Sequence, residues 1–217
     1  MGRPFKDSNQ KPAKDKLLEA AFKLIRSKGY VATTVDHLCE EAKVTKGTFF
    51  HYFESKEALG VAAANHWSLV TSQLFKEASY HKHADPLKRV LAYIDLRNEM
   101  LQGELEDFTC LVGTMTQEIY LSNPEIKEAC QQSIWGHAEK LEQDISDAKK
   151  LYAPKAKFTA KGLALHTQAV IQGAFIMAKA DGGPKVASES IHHLKNYVQL
   201  LFNSGSQNPS KKASKHV

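Results

Sequence analysis

Three cysteines, ten histidines and one block of hydroxylated, basic and aromatic side chains are where this chain could do chemistry. The block is TTVDHLCEEAKVTKGTFFHYFESKEAL, from Thr33 to Leu59. Hydroxyls, ammonium groups and exposed rings are the groups that meet base edges and phosphates. The thiols of Cys39, Cys110 and Cys130 have no metal-finger spacing, and an odd number does not make a disulfide framework. His81 and His83 share a polar loop, while His192 and His193 are adjacent on a helix and point apart. None has the i, i+4 partner of a helical metal site. No phosphate-cradling glycine loop or catalytic triad motif occurs. No catalytic residue, metal or cofactor is therefore assigned.

The elements that must position this block are helical. Of 217 residues, 42% are hydrophobic, enough to bury a core, and Gly and Pro are too few for a fibrous or disordered chain. Net charge is +5, with the excess in the first 60 residues and in the terminal SKKASKHV. Such a footprint suits a head that meets phosphate. No signal-like region opens the chain, and no apolar run is long enough to span a membrane. A reducing, cytoplasmic setting is the expectation.

Residues 1–12 read as a flexible basic arm, with Arg3 suited to a minor groove. Leu17, Leu18, Ala21, Phe22 and Ile25 give the first helix one apolar face, and Gly29 offers a left-handed stop. Thr34 caps the second helix, Thr45 the third and Ser55 a fourth that reaches about Tyr80, with Leu59, Ala63, Trp67, Val70 and Leu74 inward. Asp85-Pro86 and Asn123-Pro124 are cap-proline starts of the fifth and seventh helices. The sixth spans roughly Thr109 to Leu121. The eighth runs from Thr159 to Lys179 and the ninth from Pro184 to Phe202. The tail from 203 is Ser- and Lys-rich and reads as disordered. The fold expected is all-α with about nine helices: a three-helix head over 13–54, carrying a helix-turn-helix, and a helical body over 55–202.

In such a motif the second helix supports and the third reads. Thr45, Lys46, Gly47, Thr48 and His51 lie at the start or outer face of the reader. Phe50 is the ring expected to face thymine methyls. Thr34, Tyr52 and Lys56 suit phosphates. Periodicity alone also allows an ordinary helical hairpin whose aromatics are all core.

The block closely resembles the head of TetR-family transcriptional regulators, through Thr33-Thr34, Leu38, Ala42, Val44, Lys46-Gly47-Thr48, His51-Tyr52-Phe53 and Ser55-Lys56-Glu57-Ala58-Leu59. The upstream AAFKLIRSKGY is similar to that family's first helix. Two positions depart from the family. Lys43 stands where the turn usually has Gly, adding a cation near DNA, and Phe50 stands where Tyr is commoner. The resemblance implies a double-stranded DNA operator, a homodimer paired through its last two long helices, and an effector pocket in the body. In those helices Val170, Ile171, Ala174 and Met177, with small Gly173 and Ala178, and then Ile191, Leu194, Val198, Leu201 and Phe202 form stripes. Either stripe could instead be the chain's own core. Candidate pocket residues are Trp67, Tyr93, Cys110, Met115, Tyr120, Trp135, His166 and Phe175, each of which could equally be plain core.

The body also resembles a TetR subgroup of electrophile- and oxidant-sensing repressors, through Cys110-Leu111, the Glu118 region with Asn123-Pro124, and Ala178-Lys179. Thr109 replaces that subgroup's usual Gly. This resemblance implies a reactive Cys110 at a helix start, with Lys179 favouring its thiolate. The competing expectation is a helical small-molecule-binding or thiol-active enzyme that has kept a degenerate head.

Overall fold

The computed structural model describes residues 11–204. Arg3 of the basic arm, and the tail beyond Ser204, lie outside the described residues. Among the described residues ten α-helices follow in order. They are α1 Ala13–Lys28, α2 Val35–Ala42, α3 Lys46–Tyr52, α4 Lys56–Lys76, α5 Pro86–Glu99, α6 Leu105–Phe108, α7 Leu111–Ile119, α8 Pro124–Tyr152, α9 Ala160–Asp181 and α10 Lys185–Ser204. The described residues hold no helix long and apolar enough to cross a membrane.

Local chemistry explains most boundaries. The hydroxyl of Ser55 accepts from the Ala58 amide at 3.1 Å, the Asp85 carboxylate from Lys88 at 2.8 Å and the Asn123 side chain from Ile126 at 3.2 Å. Each satisfies an amide that its helix cannot. Three expectations need correction. α4 stops at Lys76, and Ser79–Lys82 form a separate 3-10 turn rather than its last turn. α6 is an additional helix, only four residues long, whose Asp107 carboxylate accepts from the Glu104 amide at 2.9 Å. Gly29 stops α1 at φ 92° and ψ 161°. That is an extended conformation open to glycine alone, not the left-handed one.

Two apolar clusters form the interior. The lower joins α1, α2 and α3 to Leu59 and Ala63 of α4, to Leu111, Met115 and Ile119 of α7 and to the start of α8. Its packing thus runs across the boundary expected at Ser55. Gly60 allows this approach, because a Cβ there would lie 2.8 Å from Ile126 Cδ1 and 3.0 Å from the Tyr30 ring. The upper cluster gathers Phe75, Tyr93, Ile145, Phe175, Ile191 and Phe202 from α4, α5, α8, α9 and α10. Polar ties brace it. Arg89 on α5 meets Asp144 on α8 at 2.7 Å, and Lys195 on α10 meets both oxygens of Asp95 on α5 at 2.7 Å.

The two late stripes separate in the structure. Ile171, Ala174, Ala178, Ile191, Leu194, Val198 and Phe202 are buried in the chain's own core. Met177 of the first stripe is exposed instead, as are the neighbouring Ile176, Tyr197 and Leu200.

Candidate nucleic-acid interface and adjoining cavity

The head is shaped by its threonines. Thr34 accepts from the His37 amide at 3.2 Å, and His37 Nδ1 accepts in return from the Thr34 amide at 3.2 Å. This reciprocal pair fixes the entry of α2. α2 ends at Lys43, whose φ of 54° and ψ of 48° are left-handed. Lys43 is the one non-glycine with positive φ among the described residues. Thr45 then restarts the helix, its hydroxyl accepting from the Thr48 amide at 3.1 Å and meeting the Thr48 hydroxyl at 2.9 Å.

α3 is held from beneath by its aromatics. Phe49 and Phe53 are buried, while Phe50 and Tyr52 are 55% and 41% exposed. Thr34, Lys43, Thr45, Lys46, Gly47 and His51 are exposed beside them, and Thr48 is half-buried. Lys46 pairs at 2.7 Å with Asp36, both well exposed. Water screens such a pair, so a phosphate can take the place of Asp36 at little cost.

Lys56 departs from its expected role. Its ammonium donates to the carbonyls of Tyr30 at 3.0 Å and Thr33 at 2.9 Å and stands 4.4 Å above the Tyr30 ring. Burial lowers its pKa. The group fastens the start of α4 to the loop between α1 and α2, and is not presented to a phosphate.

Above the head lies a cavity of about 320 Å³ walled by α1 and by α4 to α9. Phe22, Trp67, Phe75, Phe108 and Phe175 make it aromatic. Val70 and Leu74, expected inward, are 45% and 47% exposed and line it as well. Of the eight wall residues read from the sequence, Trp67, Cys110 and Phe175 line the cavity. Tyr93 is buried beside it, with its hydroxyl 2.7 Å from His137 Nε2. The other four are elsewhere. Met115 belongs to the lower core. Tyr120 and Trp135 are 54% and 43% exposed, and exposed His166 packs against Tyr197 with ring centroids 5.3 Å apart. Helical period identifies an apolar face, but not which of several neighbours that face meets.

Sequence reading missed polar residues of the cavity, among them Arg26, Arg97, Asp107, His137, Gln168 and Gln172. The available signal was polar side chains set among buried positions, as Arg97 follows Tyr93 and Ile94. Burial, with the charges of Arg97 and Lys140, pushes the His137 pKa down to about 3.

Cys110 also lines a second cleft of about 230 Å³, with Thr114, Glu118, Gln172 and Lys179. Its sulphur caps α7, accepting from the Gly113 amide at 3.4 Å. The Lys179 ammonium, whose pKa burial lowers, donates to Thr114 Oγ1 at 2.8 Å. At the far end of α7 Glu118 accepts from the Val31 amide at 2.7 Å. A Cβ on Gly29 would lie 2.3 Å from Glu118 Oε1. α7 thus runs from the cavity to the loop that leads into α2.

A helix-turn-helix head beneath an all-helical body with a cavity is an arrangement suited to a DNA-binding regulator. Residues 17–63 match the family model of bacterial regulatory proteins, tetR family. The chain is similar to the transcriptional regulator AcuR of Cereibacter sphaeroides, 29% identical over 118 residues, or 54% of each chain. The match thus spans about half the length of that relative. It is also similar to the HTH-type transcriptional repressor NemR of Escherichia coli, 25% identical over 191 residues, covering 85% of this chain and 93% of NemR. Among solved structures, reduced E. coli NemR aligns with a TM-score of 0.72 at 23% identity, over 85% of this chain and 96% of that one. The regulatory protein TetR from Rhodobacter sphaeroides aligns at 0.76 and 23% identity, over 85% and 98%. Residues 17–63 thus carry a TetR-family head, and the NemR repressor, which the chain resembles over most of its length, is a transcriptional regulator.

Proposed function

We propose that this regulator is a homodimeric repressor, acting in the cytoplasm, that leaves a palindromic operator when a small-molecule or thiol-reactive effector binds. Its head is residues 13–54 and its body 55–202. Thr45, Lys46, Thr48, Phe50 and His51 read the groove, while Thr34, Lys43, Gly47 and Tyr52 approach the backbone. The observation that carries this reading is the outer face of α3. Lys46, Phe50, His51 and Tyr52 stand exposed on a helix that the Thr45 cap and buried Phe49 hold in place. A hairpin built only for packing would have buried Phe50.

Repression is supported by the likeness to NemR, a repressor by name. Dimerisation is supported by the exposed face of α9, where Ala169, Gly173, Ile176, Met177 and Ala180 recur at helical spacing. Around Gly173 there is room for another helix, since a Cβ there would meet nothing within 4 Å. Two-fold symmetry makes the operator palindromic. Effector control acts by population shift. A ligand that fits the cavity better when α7 has moved draws Glu118 away from Val31 and spreads the heads.

Cys110 is the thiol proposed to react with electrophiles, with Lys179 as its neighbour. It lines both cavities, whereas burial pushes the Cys130 thiol up to about 12 and also raises that of Cys39. The test is a gel shift on DNA upstream of the protein's own gene. Specific, salt-sensitive binding that is lost in a Lys46→Ala, Thr48→Ala double variant with normal unfolding supports the reader. Indifference to both changes sinks it. If Cys110→Ser leaves release by quinones, aldehydes and hypochlorite unchanged, the thiol route is wrong.

A further inference from the structure

The cavity holds two arginines in unlike states. Arg26 is engaged: its Nε donates to the Phe22 carbonyl at 2.9 Å, its Nη1 to the Asp107 carbonyl at 3.2 Å, and it covers the Trp67 ring at 5.1 Å. Arg97 is not. It lies over the rings of Phe75 and Phe175, at 5.3 and 5.7 Å. Its one hydrogen bond among the described residues is a long 3.5 Å contact to the Tyr93 hydroxyl. That hydroxyl is already committed, accepting from Gln168 Nε2 at 3.0 Å and meeting His137 Nε2 at 2.7 Å. Among the described residues no carboxylate lies within 4.0 Å of Arg97.

A guanidinium carries five donors and a charge that cannot be removed. Two aromatic faces compensate only part of the cost of drawing that charge out of water. The remaining donors face a space whose walls are largely aromatic and aliphatic, with polar Thr71, Asp107, Ser133, Gln168 and Gln172 among them. The planar fork matches a carboxylate edge to edge. Arg26 and Asp107 both line the cavity and offset each other, and His137 is held neutral, so one net positive charge remains, which matches a monoanion rather than a phosphate dianion. A volume of about 320 Å³ is at the small end of ligand sites, which run from about 300 Å³ upward.

We propose that Arg97 is the anion anchor of this cavity, and that the cavity takes an apolar monocarboxylate. Such a ligand is a medium-chain or aryl-alkyl acid whose carboxylate meets the guanidinium while its hydrocarbon lies among Phe75, Trp67 and Phe175. The inference rests on reading the cavity as the effector site.

Calorimetric titration of the full chain separates the two. Octanoate, 4-phenylbutyrate and 2-naphthoate are compared with octanamide, 4-phenylbutanamide and 2-naphthamide, which keep the shape and lose the charge. At least one acid should bind about 10-fold or more tighter than its amide. In Arg97→Gln that ratio should fall to about one, with the amide's affinity changed little, and Arg97→Lys should restore part of it. A purely structural Arg97 would weaken acid and amide together. No acid binding better than its amide in the wild-type chain, including none binding at all, overturns the proposal without requiring any variant to fold. Release of upstream DNA is measured alongside. An acid that binds through Arg97 but leaves DNA bound defeats the effector reading and leaves the anchor standing. Amides that bind and release DNA as well as acids do the reverse.

Discussion

Head and body use their polar side chains in opposite ways. In the head and at its joint with the body, Thr34, Thr45 and Lys56 are committed to backbone groups, and that commitment holds the exposed face of α3 in shape before any DNA arrives. In the body, Arg97 is directed into a cavity with its hydrogen-bonding capacity largely unused, and His137 is kept neutral beside it. A reading surface benefits from rigidity, because its partner is a fixed groove. A sensing site must favour one of two conformations, so it keeps interactions that only the ligand completes. α7 joins the two regimes through Glu118.

The contrast is sharpest at two adjacent phenylalanines. Phe49→Ala empties the centre of the lower core and should destabilise the chain by about 3–5 kcal/mol, read by urea unfolding. Phe50→Ala removes an exposed ring and should stay within about 0.5 kcal/mol of wild type while weakening specific DNA binding. Equal effects on stability would mean that the reader is only packing.

The joint comes next. Gly29 has a backbone conformation reached by glycine alone, and Glu118 occupies the space of its missing side chain. Gly29→Ala should cost about 1–3 kcal/mol and lift Glu118 away from Val31. Operator affinity should fall further than in Glu118→Gln, which keeps the acceptor oxygen. If DNA binding is untouched in both, α7 does not carry the signal.

The body's own weakness is acid. His137 has a folded pKa of about 3 against an ordinary 6.5. Below about 6.5 the unfolded chain takes up a proton that the folded chain refuses. Stability is therefore complete above that pH and declines as pH falls toward 3. Between about pH 7.5 and about pH 5 the wild-type chain should lose about 2 kcal/mol more than His137→Gln, compared by urea unfolding at each pH. Matching losses would place the acid sensitivity elsewhere.

The head was largely legible because its information is local. Thr34, Thr45 and Ser55 cap helices within three residues of themselves, and Phe49 and Phe50 differ in exposure through helical geometry alone. Lys56 was misread because its partners lie 23 to 26 residues away in sequence. The body failed for the same reason on a larger scale. Trp135 and Tyr120 look like wall residues on their own helices, yet the neighbours that would enclose them stand on other sides. α6 is too short for period to register. Most of the apolar stripes of α9 and α10 belong to the chain's own core, while Met177 of the first stripe joins Ile176, Tyr197 and Leu200 on the exposed side.

The smallest expected effect tests the one place where the head departs from economy. Lys43 is left-handed at φ 54°, a conformation that costs a residue with a side chain about 1–2 kcal/mol. Lys43→Gly removes that strain, but it enlarges the freedom of the unfolded chain by about 0.5–1 kcal/mol. The net gain in stability should be about 0.5 kcal/mol, read as a small rise in the urea midpoint with an unchanged slope. Operator binding should move the other way. Losing one cation that approaches phosphate lowers the slope of log K against log salt by about 0.9 and weakens all sequences alike. A stabilised variant that binds DNA with the same salt dependence would assign Lys43 to the turn alone. A destabilised one would mean that its stem packs against α2. The combination of higher stability and weaker, less salt-sensitive binding is the outcome expected if strain in the turn is retained for the charge that it presents.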